Sequence, residues 1–227
     1  MGGMKRLAAA AVLCLQIGMW PAQSQSTRAE DLGPGKLLVA TPELGDPNFA
    51  KTVVMLVQFD DDGGVVGLIL NRRSKVAVSR VLEGVQAAKG RHDPVYAGGP
   101  VGRTEVLALV RATEEPAGAK RVSGDLFLTV TKESLEKTLT GTEAADIHFY
   151  LGYAGWTAEQ LENEVAMGGW YIFPGNAKAV FDAAPESLWD RLIRLTETRI
   201  ALGFRSGVAA AYEGGGSAAS CAGCRLR

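Results

Sequence analysis

Histidine and cysteine are scarce in this sequence: two histidines, His92 and His148, and three cysteines among 227 residues. The histidines stand far apart, and neither belongs to a pair with metal-ligand spacing, so no metal site is expected. No serine occupies a G-x-S-x-G elbow of the kind that presents a nucleophile above a sheet. The nearest match, "GGSAA" at 215–219, falls in a Gly/Ala/Ser-rich tail. No cofactor motif is present either. "GGPVGR" (98–103) is glycine-rich and could cradle an anion, but it has neither Walker spacing nor its lysine, and Pro100 removes a donor; a turn is the expected reading. A basic excess is also missing. Binding to nucleic acid rests on cations that neutralise phosphates, and this chain offers no such footprint.

The apolar runs are short. Lys5 and Arg6 precede the apolar stretch 7–20, and Pro21-Ala22-Gln23-Ser24 follows. A membrane span needs about 20 apolar residues. A positive start, a shorter apolar run and small residues at 22 and 24 instead read as a secretory signal cleaved near Ser24. Cys14 follows Leu13, which is not a lipoprotein pattern. Removal of Lys5 and Arg6 leaves 22 cations against 25 acids, a net charge of −3. Cys221 and Cys224 are then the remaining thiols, an even pair suited to a disulfide in an oxidising compartment. The expected organisation is a signal peptide at 1–24, a linker at 25–34, one domain over 35–203 and a tail over 204–227. Localisation would be periplasmic or secreted, with no membrane span after cleavage.

What is present is a folded middle with 47% apolar and 22% charged residues over the whole chain, enough for a real core. "KLLVA" (36–40), "TVVMLVQF" (52–59) and "VVGLILN" (65–71) read as strands, the last two joined by the "DDDGG" hairpin tip. "PVYAGG" (94–99) and "TEVLALV" (104–110) read as strands around a glycine turn. "DLFLTV" (125–130), "DIHFYLG" (146–152) and "WYIF" (170–173) are further strands. Ser79 and Thr131 are expected to cap helices. Gly152 and Gly155 are expected to bend the chain sharply into a helix, with Thr157 and Gln160 as a capping box and Leu161 and Val165 on its inner face. Gly168-Gly169 should end that helix. Pro185 should open a last one with a Leu188–Leu192–Leu195 stripe. Strands without strict alternation of helices imply an α+β fold: a large mixed, mostly antiparallel sheet with helices packed on it.

Asp46, Asn71, Arg72, Tyr153 and Trp156 are polar or aromatic residues at element ends, where binding pockets form. They are the candidate ligand-binding set. A structural role competes for each: Asp46 and Asn71 could satisfy loop backbone, and Trp156 could pack on the sheet. His148, inside an apolar strand, reads as a core or sheet-face histidine.

Taken together and in order, "LLVATPELGDPNFAKTVVMLV", "GVVGLILNR", "PVYAGGPV", "LGYAGW" followed by "LENEV", and "GGWYIFP" resemble the YqgE/AlgH family of bacterial proteins, over roughly Gly35 to Arg194. The resemblance implies an α+β domain with a large mixed sheet and carries no agreed catalytic set. Some members are called transcriptional regulators. The leading expectation is a non-enzymatic binding or regulatory domain that recognises an unidentified protein or small ligand. An enzyme remains the alternative: a hydrolase with a base such as His92, or a thiol–disulfide protein using Cys221 and Cys224. A DNA-binding regulator is the third reading.

Overall fold

The computed structural model describes residues 28–59, 63–141 and 147–198. The expected signal segment and the Cys221/Cys224 pair lie outside these described residues. Within the described residues, ten strands form one sheet: β1 (Lys36–Ala40), β2 (Val53–Phe59), β3 (Gly64–Ile69), β4 (Arg73–Ala77), β5 (Pro94–Ala97), β6 (Val101–Arg111), β7 (Lys120–Ser123), β8 (Leu126–Thr129), β9 (Ile147–Thr157) and β10 (Trp170–Pro174). The main path runs β10-β1-β2-β3-β9-β6-β8-β7, with β5 between β4 and β9. Every pairing is antiparallel except β5 with β9. Among the described residues five helices pack on it: α1 (Val78–Val81), α2 (Lys132–Gly141), α3 (Ala158–Ala166), α4 (Ala177–Val180) and α5, spanning 188–198. The fold is therefore α+β, as the strand pattern implied.

The sheet curls until β1 meets β7. A Cβ at Gly35 would stand 2.5 Å from the Cβ of Ser123, so only glycine admits that approach. The curl encloses one core, built from residues such as Leu37, Met55, Leu68, Leu109, Leu128, Tyr150 and Phe173. Helices α4 and α5 close it with Val180, Leu188, Trp189 and Ile193. The outer face carries two further cores. One lies under α3, around Phe49, Trp156, Leu161, Val165 and Trp170; the other lies under α1 and α2, around Val78, Leu135, Leu139 and Phe149.

Strand β9 is the spine. Its first half pairs with β5 on one side and β6 on the other; its second half pairs with β3. Gly152 interrupts it at φ +69°, and the register opposite jumps between Val101 and Val106. Side chains alternate across a strand, so one unpaired residue resets the alternation. Tyr150 and Tyr153 consequently both serve the enclosed core, while Ala154 and Trp156 serve the outer one. The bend expected at Gly152–Gly155 is thus a bulge: the strand continues to Thr157, which is at once its last residue and the cap of α3.

Other local expectations shift similarly. Thr157 Oγ1 accepts the Gln160 N–H at 3.1 Å, but the Gln160 amide donates to Glu164 at 3.0 Å instead of completing a reciprocal box. Gly168, at φ +80°, ends α3; its N–H bonds to Val165 and that of Gly169 to Glu164, which satisfies two orphan carbonyls. Thr131 caps α2 through the Ser134 N–H. Ser79 does not cap α1, whose N-cap is Ala77. In α5 the inward face is Leu188, Trp189, Ile193 and Thr196, and Leu195 is 53% exposed. The phase is set by Trp189, whose indole N–H donates to the Ala40 carbonyl at 2.7 Å.

Candidate functional site

The β5–β6 connection fixes the geometry of the site. Strands β5 and β6 flank β9 on opposite sides, so the chain between them must cross over β9 within a few residues. It crosses at Gly98 and Gly99. A Cβ at Gly98 would lie 2.2 Å from the Gly152 carbonyl oxygen, and one at Gly99 2.0 Å from the Tyr153 carbonyl carbon. No residue with a side chain fits there. "GGPVGR" is therefore a crossover and not the turn of a hairpin. A cleft of about 360 Å³ opens beside it, lined by Asn48, Arg72, Ala97, Gly99, Pro100, Arg103 and Leu151.

The far wall is the β1–β2 loop. Asp46 Oδ1 accepts the Asn48 N–H at 2.7 Å, closing a local turn. The next residue, Phe49, is buried and stacks on Trp156 at 5.3 Å and edge-on against Trp170 at 5.4 Å. Burying a Phe side chain contributes about 1.5–3 kcal/mol, so the loop is anchored by its own core residue. Behind it, Asn71 makes two bonds to the loop's exit: its side-chain oxygen accepts from Val53 N–H, and its amide donates to the Lys51 carbonyl, both at 2.9 Å. Lys51 needs that support, since it sits at φ +54° without being glycine.

Arg72 follows Asn71 directly and emerges at the cleft. Its backbone carbonyl holds the Ala97 N–H at 2.8 Å, and its guanidinium reaches the Ala50 carbonyl at a long 3.4 Å. Burial lowers its pKa, and the nearby Asp46 carboxylate acts in the opposite direction. The guanidinium is thus a partly desolvated cation with donors to spare.

Of the sequence candidates, Asp46, Asn71 and Arg72 come together here: Arg72 in the wall, Asp46 shaping the loop, Asn71 behind it. Tyr153 lines a different cavity of about 390 Å³, with Gln58, Val66, Glu105 and Leu128 among its walls. Trp156 is 5% exposed and lies in the outer core. Its indole N–H donates to Glu164 Oε2 at 3.2 Å, and Trp170 donates to the same oxygen at 2.9 Å. Asn48 and Arg103 are lining residues that sequence reasoning did not select. Arg103 ends the "GGPVGR" stretch, so its signal was visible, but its relation to Arg72 depends on the crossover.

The remaining polar core is neutral. His148 lies between Tyr96 at 4.7 Å and Phe181 at 4.8 Å, and burial lowers its pKa to about 4, partly opposed by a backbone hydrogen bond at Val180. Among the described residues the Tyr150 hydroxyl and His148 Nδ1 are buried without hydrogen-bond partners, and burial pushes the Tyr150 pKa well above its usual value. His92 is exposed, before β5. Among the described residues, no three His, Cys, Asp or Glu side chains gather as a metal site, and no helix is long and apolar enough to cross a membrane.

Residues 37–201 match the family model described as AlgH-like, DUF179. A UPF0301 protein of Myxococcus xanthus (strain DK1622) is 38% identical over 168 residues, covering 73% of this chain and 91% of that protein. One from Streptomyces avermitilis is 35% identical over 174 residues, covering 74% and 89%. The solution structure of the AlgH protein from Pseudomonas aeruginosa aligns with a TM-score of 0.57 at 29% identity, over 82% of this chain and 95% of that one. The crystal structure of protein DIP2367 from Corynebacterium diphtheriae aligns at 0.62 with 23% identity, over 72% and 87%, a likeness of fold. A family model spanning most of the chain, and relatives above one third identity aligned over nearly their whole length, lead to one conclusion: this chain belongs to the AlgH-like family.

Proposed function

We propose that this protein is a non-enzymatic recognition domain, exported from the cell, whose contact site is the cleft between the Asp46 loop and the glycine crossover. One observation carries the reading. Three independent elements, the β1–β2 loop, the end of β3 and the β5–β6 crossover, converge on one cavity, and each is held by buried contacts away from it. A site built this way is preorganised, which lowers the entropic cost of binding. The export component is supported by the charged and then apolar start of the chain, before the small residues at 22 and 24.

The test is a photo-reactive side chain placed at Asn48 or at exposed Ala97 in the producing bacterium. Illumination should yield discrete adducts from both positions and none from exposed Glu197. Adducts that form equally from all three positions, or from none, would remove the cleft as the contact site.

A further inference from the structure

We infer that the cleft takes a small organic anion, its carboxylate or phosphate held by the guanidinium groups of Arg72 and Arg103 and its apolar part laid against Pro100 and Leu151. The inference rests on the cleft being the recognition site and adds the chemistry of its occupant.

Charge is the first argument. The lining holds two arginines and no carboxylate. Among the described residues the Arg103 side chain, which is exposed, has no ion pair or hydrogen bond, and the Arg72 guanidinium forms only its long bond to the Ala50 carbonyl. Asp46 influences Arg72 through space without forming an ion pair. Guanidinium groups carry five donors in a fixed fork that matches planar carboxylates and phosphates. Two of them on one cavity, with donors left over, suit an anion better than any other class.

Size and composition are the second. A cavity of about 360 Å³ is at the small end of ligand pockets and has no room for a helix or a folded partner. Ala97, Pro100 and Leu151 give it apolar wall beside the cations. A bare inorganic ion would leave that wall unused, so the fitting occupant has both a charged and an apolar end. Arg72 is also already partly desolvated by burial, which strengthens its attraction for an anion relative to a solvated cation.

The test titrates the full chain, by calorimetry and amide NMR shifts, with four probes: phenyl phosphate, benzoate, benzyl alcohol and inorganic phosphate. Phenyl phosphate or benzoate should saturate at one site, with shifts at Gly99, Arg103 and Leu151; whichever binds more tightly names the anionic group. Benzyl alcohol should bind at least about tenfold more weakly, having lost the charge-assisted bonds. Arg72→Gln and Arg103→Gln should each weaken the anion at least roughly fivefold. Asp46→Asn should strengthen it, because it removes a competing charge while keeping the oxygen that accepts from Asn48. Arg103 is exposed, so its variant reads binding even if the Arg72 variant unfolds. The inference is overturned if neither organic anion saturates, if both arginine variants bind as the parent does, or if inorganic phosphate binds as tightly as phenyl phosphate. Photo-adducts from Asn48 and Ala97 without probe binding would overturn the small-anion assignment and leave the recognition reading standing.

Discussion

Trp156 and Trp170, perpendicular to each other with ring centres 6.1 Å apart, donate their indole N–H groups to the same oxygen of Glu164. The carboxylate is the shared acceptor for two buried donors, and Phe49 fills the space against both rings. The loop that forms one wall of the cleft is therefore tied to the start and end of α3 through one side chain.

Glu164→Leu should cost about 2–4 kcal/mol, since two buried donors lose their partner. Glu164→Gln keeps an acceptor oxygen and should cost about 1 kcal/mol. Urea unfolding followed by tryptophan fluorescence reads both. Equal costs for the two substitutions would mean that the indoles do not depend on this acceptor.

Gly99→Ala should cost more than about 3 kcal/mol or abolish folding, because its Cβ would fall within 2.0 Å of the Tyr153 backbone, beyond ordinary overpacking. Gly84→Ala is the control. It has φ +90° with nothing within 4 Å, so only the left-handed penalty of about 1–2 kcal/mol applies. Thermal melts of the two variants separate crossover from conformation.

Asn71→Leu removes both bonds to the loop exit and should cost about 2 kcal/mol. The local signature is faster hydrogen exchange at the Val53 amide, which loses its acceptor, with the enclosed core unaffected. Uniform acceleration across β1 and β2 would instead indicate global destabilisation.

His148 should make stability depend on pH. Its folded pKa, about 4, lies below the ordinary 6.5, so the unfolded chain binds more protons between these values. The contribution is fully present above pH 6.5, falls as pH drops toward 4 and is absent below that. The loss over the window is about 3 kcal/mol, at 1.36 kcal/mol per pKa unit. His148→Phe should flatten the unfolding free energy between pH 6.5 and 4 relative to the parent. An unchanged slope would place the proton uptake on another group.

The proposed export makes a separate prediction. Mature protein from the native host should begin after Ser24, seen by intact mass and N-terminal sequencing. A full-length chain in the cytoplasm would contradict it.

Much of this was readable from residues alone. Runs of Val and Leu marked β1, β2 and β3, and apolar runs with aromatics marked β8 and β10, because a strand buried on both faces must be apolar at nearly every position. Thr157 marked the start of α3 and Gly168 its end, since caps are local chemistry. Strands β4 and β7 were missed: "RSKVA" and "KRVS" are mostly polar and carry little burial signal. Leu195 was placed inside and is outside, because the seat of Trp189 under Ala40 rotates α5 by more than its leucine spacing reveals.

Local sequence thus determined most of the extended segments and where α2 and α3 begin. The tertiary structure decided what Asp46, Asn71 and Arg72 touch. Whether two glycines make a hairpin or a crossover depends on a strand fifty residues later lying between their neighbours. Whether Arg103 shares a cavity with Arg72 depends on that crossing. Capping and periodicity are set by contacts a few residues apart; the cleft is set by sheet order, which emerges only when distant strands compete for the same neighbour.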